Sequence, residues 1–317
     1  MNDEQIVARL RDGLDTPEPQ VVVDPASVLR QGRRVRGVRT AAMTAAVVLV
    51  FGVVISVFAL ARPDSSPADN PTVSPSAIPA QVVVPEGSAL AQTTQVISAR
   101  TGISMADLDA AIADPASLGI PEQFCSLQDV TAPERVVEGW LAPGTYDVPA
   151  GATAVDVLSE MVGRTTVMLT DRQVPQDQWH RVLIIASIID HEVGRDEDRP
   201  KVARVFENRL ATGIPLQADS TVAYSLGISA LKLTAAHLND PTNPYNTYAV
   251  RGLPPGAIAS PRLASVEAVL NPAEGDWVYW CVVNLKTQET KFTADYNELM
   301  TFKRELADWL ADTDEGP

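Results

Sequence analysis

An α+β fold, tethered by one membrane-spanning helix near its N-terminus, is what this 317-residue sequence predicts. Three observations carry the prediction. An uncharged run of 21 residues, AAMTAAVVLVFGVVISVFALA, occupies 41–61. Short β-branched runs punctuated by Pro and Gly recur after residue 80. Between them lie longer stretches whose apolar residues repeat at helical spacing. The length allows one large domain or two modest ones with substantial cores.

The elements follow in order. Residues 1–40 form a polar tail, and five arginines (30, 33, 34, 36 and 39) stand in the twelve residues before Ala41, whereas Arg62 alone follows the apolar run before Asp64. An uncharged, largely apolar run of this length suits one transmembrane helix. The arginine asymmetry places the N-terminus in the cytoplasm and residues 62–317 outside. A cleaved signal peptide is the alternative, disfavoured by the forty-residue polar lead. PDSSPADNPTVSPSAIPA (63–80) has little to bury and reads as an extended stalk.

Order begins with the VVV run at 82–84. Val84-Pro85-Glu86-Gly87-Ser88 leads into a helical pattern, and so does Val148-Pro149-Ala150-Gly151-Ala152, at an offset of 64 residues. Each reads as strand, turn and helix start, a device used twice or a coincidence. A helix over Ser104–Ala113 completes a small α+β module at 81–120. Further helices are expected over 153–163, 177–192, 199–211 and 295–311, with a strand within WVYWCVVN (277–284).

Charge narrows the function. Residues 1–61 carry seven Arg against six acids, so the remaining chain holds 18 basic against 34 acidic residues. An acidic body of this kind excludes a nucleic-acid partner, which needs a basic footprint. Cys125 and Cys281 both fall outside the membrane, where a disulfide is chemically permitted. The sequence leaves open whether they pair.

One segment concentrates possible chemistry. ASIIDHE (186–192) ends an apolar run in Asp190, His191 and Glu192. A helix apolar all round is a buried one, so its terminal acids lie close to the interior. Residues two apart on a helix face different ways, so Asp190 and Glu192 do not share a cleft. Glu192 falls on the face of Ile185, Ile188 and Ile189, where desolvation favours the protonated form a general acid needs. The plainer reading makes both acids solvated helix-end groups paired with Arg195 or Arg199. Gly194 is the expected helix stop. His191-Glu192 opens an HExxH, but Arg195 stands where the second histidine belongs, and the chain has only His180, His191 and His237. No metal or other cofactor is expected. No G-x-S-x-G occurs either.

ASIIDHEVGRDEDRPKVARVFENRLATGIPLQADSTVAYSLG (186–227) resembles the YceG/MltG-like endolytic murein transglycosylases. So do NPYNTYAVRGLPPGAIASP (243–261) and VEGWLAPGTYDVPAGATAVDVL (137–158). The likeness runs from about Val82 to Asp312. It implies a single-pass anchor, a LysM-like module at 81–127 and a transglycosylase domain at 128–315. By this resemblance Glu192 matches the glutamate of the ES signature in other lytic transglycosylases and is the expected catalytic residue. Gln217 and Asp219 are expected to hydrogen-bond the sugar beside it, unless Asp219 merely caps a helix at Ser220. Tyr245, Asn246 and Tyr248 are expected on a cleft wall, offering aromatic faces and an amide to glycan. This chain departs from the family at Asp190, where Glu or Gln is usual, and at Lys291 and Leu299, where the family commonly places His.

The implied reaction cleaves the MurNAc–GlcNAc bond of peptidoglycan glycan strands with formation of a 1,6-anhydro end. One acid suffices for it, whereas a glycoside hydrolase needs two. Cell-wall synthases are the expected protein partners. A catalytically inactive peptidoglycan-binding scaffold is the rival reading.

Overall fold

The structure is a computed structural model that describes residues 79–125 and 132–314. The expected spanning helix at 41–61, and nearly all of the stalk, lie outside the described residues. Among the described residues no helix is long and apolar enough to cross a membrane.

The first unit and the body begin on one shared sheet. Strand β1 (Ala80–Val84) pairs antiparallel with β2 (Gly144–Val148), in the register Ala80↔Val148, Val82↔Tyr146 and Val84↔Gly144. The 64-residue device is therefore real, and its two copies face each other about a local two-fold at the Val82–Tyr146 pair. Gly87 and Gly151 both take left-handed backbone, with φ of 69° and 79°. That region is open to glycine at no steric cost, so each turn closes at the same place. Helix α1 (Leu90–Thr101) follows the first turn, and α5 (Ala154–Asp171) follows the second.

Between these two copies lie α2 (Met105–Ile112), capped by Ser104, and two short helices, α3 (Glu122–Cys125) and α4 (Pro133–Val137). Helix α5 runs eight residues past its expected end. Gly163 and the Thr pair after it weaken local propensity, but Leu158, Met161, Val162, Thr165 and Leu169 keep one face buried, and packing prevails.

Helix α6 (Trp179–Glu192) organises the rest. Its Val182, Leu183 and Ala186 join the core built by β1, β2, α1, α2 and α5. Ile184, Ile185, Ile188 and Ile189 join a second core. That core is shared with α7 (Arg199–Thr212) and with α10 (Leu263–Leu270), which packs on both α6 and α7. The sequence makes α6 apolar all round because cores lie on both sides of it. Because the sheet and the first core cross residue 127, the 81–127 segment closes its hydrophobic interior only together with residues 136–186.

Helix α8 (Asp219–Leu226) and the short α9 (Ala235–Leu238) frame the loop that leads to α10. The hairpin of β3 (Tyr279–Asn284) and β4 (Glu289–Thr293) carries α11 (Tyr296–Asp314) on a third core. Leu299 is buried in that core, and Lys291 pairs with Glu305 at 2.8 Å. Lys291 and Leu299, two of the three positions where the chain departs from the family pattern, thus serve packing of α11 on the hairpin. Cys281 is fully buried and Cys125 half-buried, and no disulfide joins them.

Candidate active site

Helix α6 ends in two buried acids, Asp190 at 2 % and Glu192 at 1 % exposure. Neither is a solvated helix-end group, and Arg195 pairs with neither; it pairs with Glu197. The two acids do face different ways. Asp190 accepts from Arg199 Nη1 at 3.0 Å, Ser265 Oγ at 2.6 Å and the Arg262 backbone N–H at 2.7 Å. Arg262 Nε lies 2.9 Å from the same carboxylate. Arg199 is itself buried, so this is a closed ion network that fixes the end of α6 to α7 and α10. The network also reaches the first unit, since Arg262 approaches Glu86 at 3.4 Å. Asp190 is an anchor for the end of α6.

Glu192 turns the other way. Its Oε1 accepts a 2.6 Å hydrogen bond from Ser220 Oγ, on the first turn of α8. Ser220 and His191 line a cleft of about 910 Å³ that opens between the first unit and the body. Its far wall comes from α1 and α2, through Leu90, Gln92, Gln95 and Asp109. The near wall comes from Arg135, Glu138, Tyr224 and Ile258. Glu192 thus sits one hydrogen bond beneath the cleft surface. The helix stops without a left-handed cap, with Val193 extended at φ −112°. A Cβ at Gly194 would meet only the far end of the Gln288 side chain on the hairpin tip, which can swing aside.

The other expected site residues separate into groups. Gln217, half-buried, holds left-handed backbone at φ 50°, and its N–H donates to Thr247 O at 2.9 Å. A non-glycine residue in that conformation is strained and is held there by its surroundings. Asp219 is buried and is the first residue of α8, with Ala218 at the cap position, so it does not cap a helix beginning at Ser220. Asn246 is fully buried. Its amide donates to the carbonyls of His237, Leu238 and Asp240, and its Oδ1 accepts from Tyr248 N, which commits every polar atom of the side chain to the loop. Thr247 Oγ1 in turn accepts from Ala218 N at 3.0 Å, so this loop holds the entry to α8. Tyr245 is buried against Tyr224, with ring centroids 5.4 Å apart, and Arg135 lies 5.1 Å from its ring. Tyr248 packs on the small core of α8 and Leu233. The YNTY loop therefore supports the cleft from behind, and its side chains do not line it.

Sequence reasoning passed over the second buried acid of the cleft. Glu138, 4 % exposed, accepts from Leu90 N at 3.0 and 3.1 Å and from Tyr224 Oη at 3.0 Å. Burial pushes its carboxyl up to about 7, against the opposing pull of those donors, the Gly139 N–H and Arg135. The available signal was a lone acid between Val136-Val137 and Gly139-Trp140, an apolar setting that has to be compensated. Gly139 itself, at φ 89°, lets the 255–261 loop pass, because a Cβ would come within 2.5 Å of Ala257 Cβ. Among the described residues no group of three or more His, Cys, Asp or Glu is placed to hold a metal.

Residues 68–305 match the YceG-like family. This chain belongs to that family. It is 31 % identical over 217 residues to the endolytic murein transglycosylase of Bacillus subtilis (strain 168), a match covering 63 % of this chain and 58 % of that protein. It is 31 % identical over 153 residues to the enzyme of the same name from Streptococcus pneumoniae (strain ATCC BAA-255 / R6), covering 45 % and 28 %. The chain thus spans 58 % and 28 % of the lengths of these two relatives. A crystal structure of a yceG-like protein from Listeria monocytogenes superposes with a TM-score of 0.60 at 32 % identity, covering 70 % of this chain and 76 % of that one. The family likeness spans both sides of the cleft, from α1 to α11.

Proposed function

We propose that this chain is an endolytic lytic transglycosylase that cleaves the MurNAc–GlcNAc bond of nascent peptidoglycan strands, with Glu192 as its acid and base. The observation that carries the reading is the buried Glu192 carboxyl, held by Ser220 beside a cleft built by both halves of the molecule. Protonated Glu192 gives its proton to the glycosidic oxygen as the bond to the anomeric carbon breaks. The resulting carboxylate then takes the proton of the C6 hydroxyl of the same muramic residue. That oxygen bonds to the anomeric carbon and closes the 1,6-anhydro ring. The nucleophile is already part of the substrate, so proximity replaces a positioned water and a second acid.

Ser220 suits this cycle because its hydroxyl donates to the carboxylate formed in the first step. Gln217 and Asp219 flank that point and are the residues proposed to support the cationic sugar. The cleft accommodates several sugar units on its volume. Anchoring through 41–61, a cytoplasmic N-terminus, a LysM-like role for the first unit and contact with wall synthases complete the proposal. A fluorescent reporter that matures only in the cytoplasm should be bright at the N-terminus and dark when fused after Pro317; a bright C-terminal fusion would refute the topology.

Mass spectrometry of purified glycan strands after incubation with the full chain tests the reaction. Anhydro-ended fragments are expected. New reducing ends would make the protein a hydrolase, and unchanged strands would make it a scaffold.

A further inference from the structure

The two copies of the strand–turn–helix device differ at one informative position. Helix α5 is capped by its own Thr153, whose hydroxyl accepts from Asp156 N, while Asp156 returns a carboxylate to Thr153 N. The equivalent residue before α1 is Ala89, which has no side-chain oxygen to offer. An alanine at this position costs a helix roughly 1 kcal/mol relative to Ser or Thr. In the fold the same turn is capped from outside at a different N–H: both oxygens of Glu138 accept from the first one, Leu90 N, across 48 residues of sequence.

The same carboxylate has a second arm. Glu138 Oε2 accepts from Tyr224 Oη on α8, and Arg135 stands over the Tyr224 ring at 4.5 Å. Tyr224 is four residues from Ser220, so both project from one face of α8. Ser220 holds Glu192. A continuous route thus runs from the start of α1, through Glu138 and Tyr224, along one face of α8 to Ser220 and Glu192. It joins the far wall of the cleft to the acid beneath the near wall.

We infer that Glu138 is a positioning residue that clamps the α1 wall to α8 and so sets the cleft geometry around Glu192. A local cap of the Thr153 kind would bond the third N–H of α1 and leave the helix uncoupled from α8. A buried carboxylate with three hydrogen bonds fixes both elements at once. Its place in a desolvated site, where a neutral side chain would cost less to bury, fits a functional purpose.

The two arms make different predictions, which rest for their kinetics on the lytic transglycosylase reading. Tyr224→Phe breaks only the α8 arm, so kcat for glycan-strand cleavage should fall on the order of tenfold with KM nearly unchanged. Glu138→Ala frees α1 as well, so KM should rise in addition. The double variant should be no worse than Glu138→Ala alone, because the clamp is already gone. Glu138→Gln, which keeps an oxygen for Leu90, should restore KM further than kcat.

Amide hydrogen exchange on the full chain gives a readout that does not depend on activity. The Leu90 amide, which has no carbonyl partner inside its helix, should lose protection in Glu138→Ala while α5 and α6 keep theirs. If the wild type releases no anhydro fragments, the functional reading fails, and exchange at Leu90 still decides the clamp. Unchanged Leu90 exchange in Glu138→Ala, or additive kinetic losses in the double variant, would overturn the inference. Should Glu138→Ala not fold, Tyr224→Phe with wild-type kcat would overturn it alone.

Discussion

Burial pushes the Glu138 carboxyl from an ordinary 4.5 up to about 7, so the folded chain holds that proton more tightly than the unfolded chain does. The consequence for stability has a definite sign. Below about pH 4.5 both states are protonated and nothing is lost; as pH rises toward 7 the unfolded state ionises first, and stability falls by up to about 3 kcal/mol. The facing charged and titratable groups are Arg135 on the same segment, Tyr224 on α8 and Tyr245 on the loop behind it. Glu138→Gln removes this loss, so urea unfolding should show the variant gaining on the wild type between pH 5 and pH 8; a constant difference across that range would contradict the assignment. Replacing Asp190 should destabilise the fold. Asp190→Asn leaves Arg199 buried with its main counter-charge gone, and removing one partner of such a pair costs roughly 3–5 kcal/mol. Denaturant titration checks it, and a loss below 1 kcal/mol would remove Asp190 from the anchoring role. Glu192 was legible in the sequence because an acid at the end of an all-apolar helix is conspicuous. Glu138 was not, because its partners Leu90 and Tyr224 are brought to it only by the fold.

Among the elements, the 64-residue repeat was visible as spacing, but its meaning was not. Pairing of β1 with β2 about a local two-fold is a tertiary fact that no local pattern states. Helix α5 was underestimated for a related reason, since the apolar face that carries it past Gly163 acquires its value from α2 and α6. Two glycines make this testable. Gly163 lies on the exposed side of α5 with open space around it, so Gly163→Ala should raise stability by about 0.5–1 kcal/mol. Gly139→Ala faces both a left-handed backbone and a 2.5 Å approach to Ala257. It should cost roughly 2–4 kcal/mol and disturb the neighbouring Glu138. Thermal melts of the two variants should move in opposite directions; a shared direction would refute the packing account. The YNTY loop lies behind the cleft and not on its wall. Its polar and aromatic residues suggested a sugar platform, yet Asn246 spends all its hydrogen bonds on the loop itself.

At the scale of the whole molecule, the first unit and the body share a sheet, a core and the cleft between them. Neither half contains the site alone, which the alternation of strands and helices in the sequence did not reveal. What the sequence did expose was the α+β class and the helix that delivers the acid. The central claim is that Glu192, beneath this cleft, moves the proton that cleaves the glycan. Glu192→Gln keeps the size of the side chain and its contact with Ser220 but cannot donate that proton. Release of anhydro fragments by the full chain should therefore fall roughly 10²–10⁴-fold, with circular dichroism unchanged. A Glu192→Gln protein that is folded and cleaves glycan strands at the wild-type rate would contradict the account.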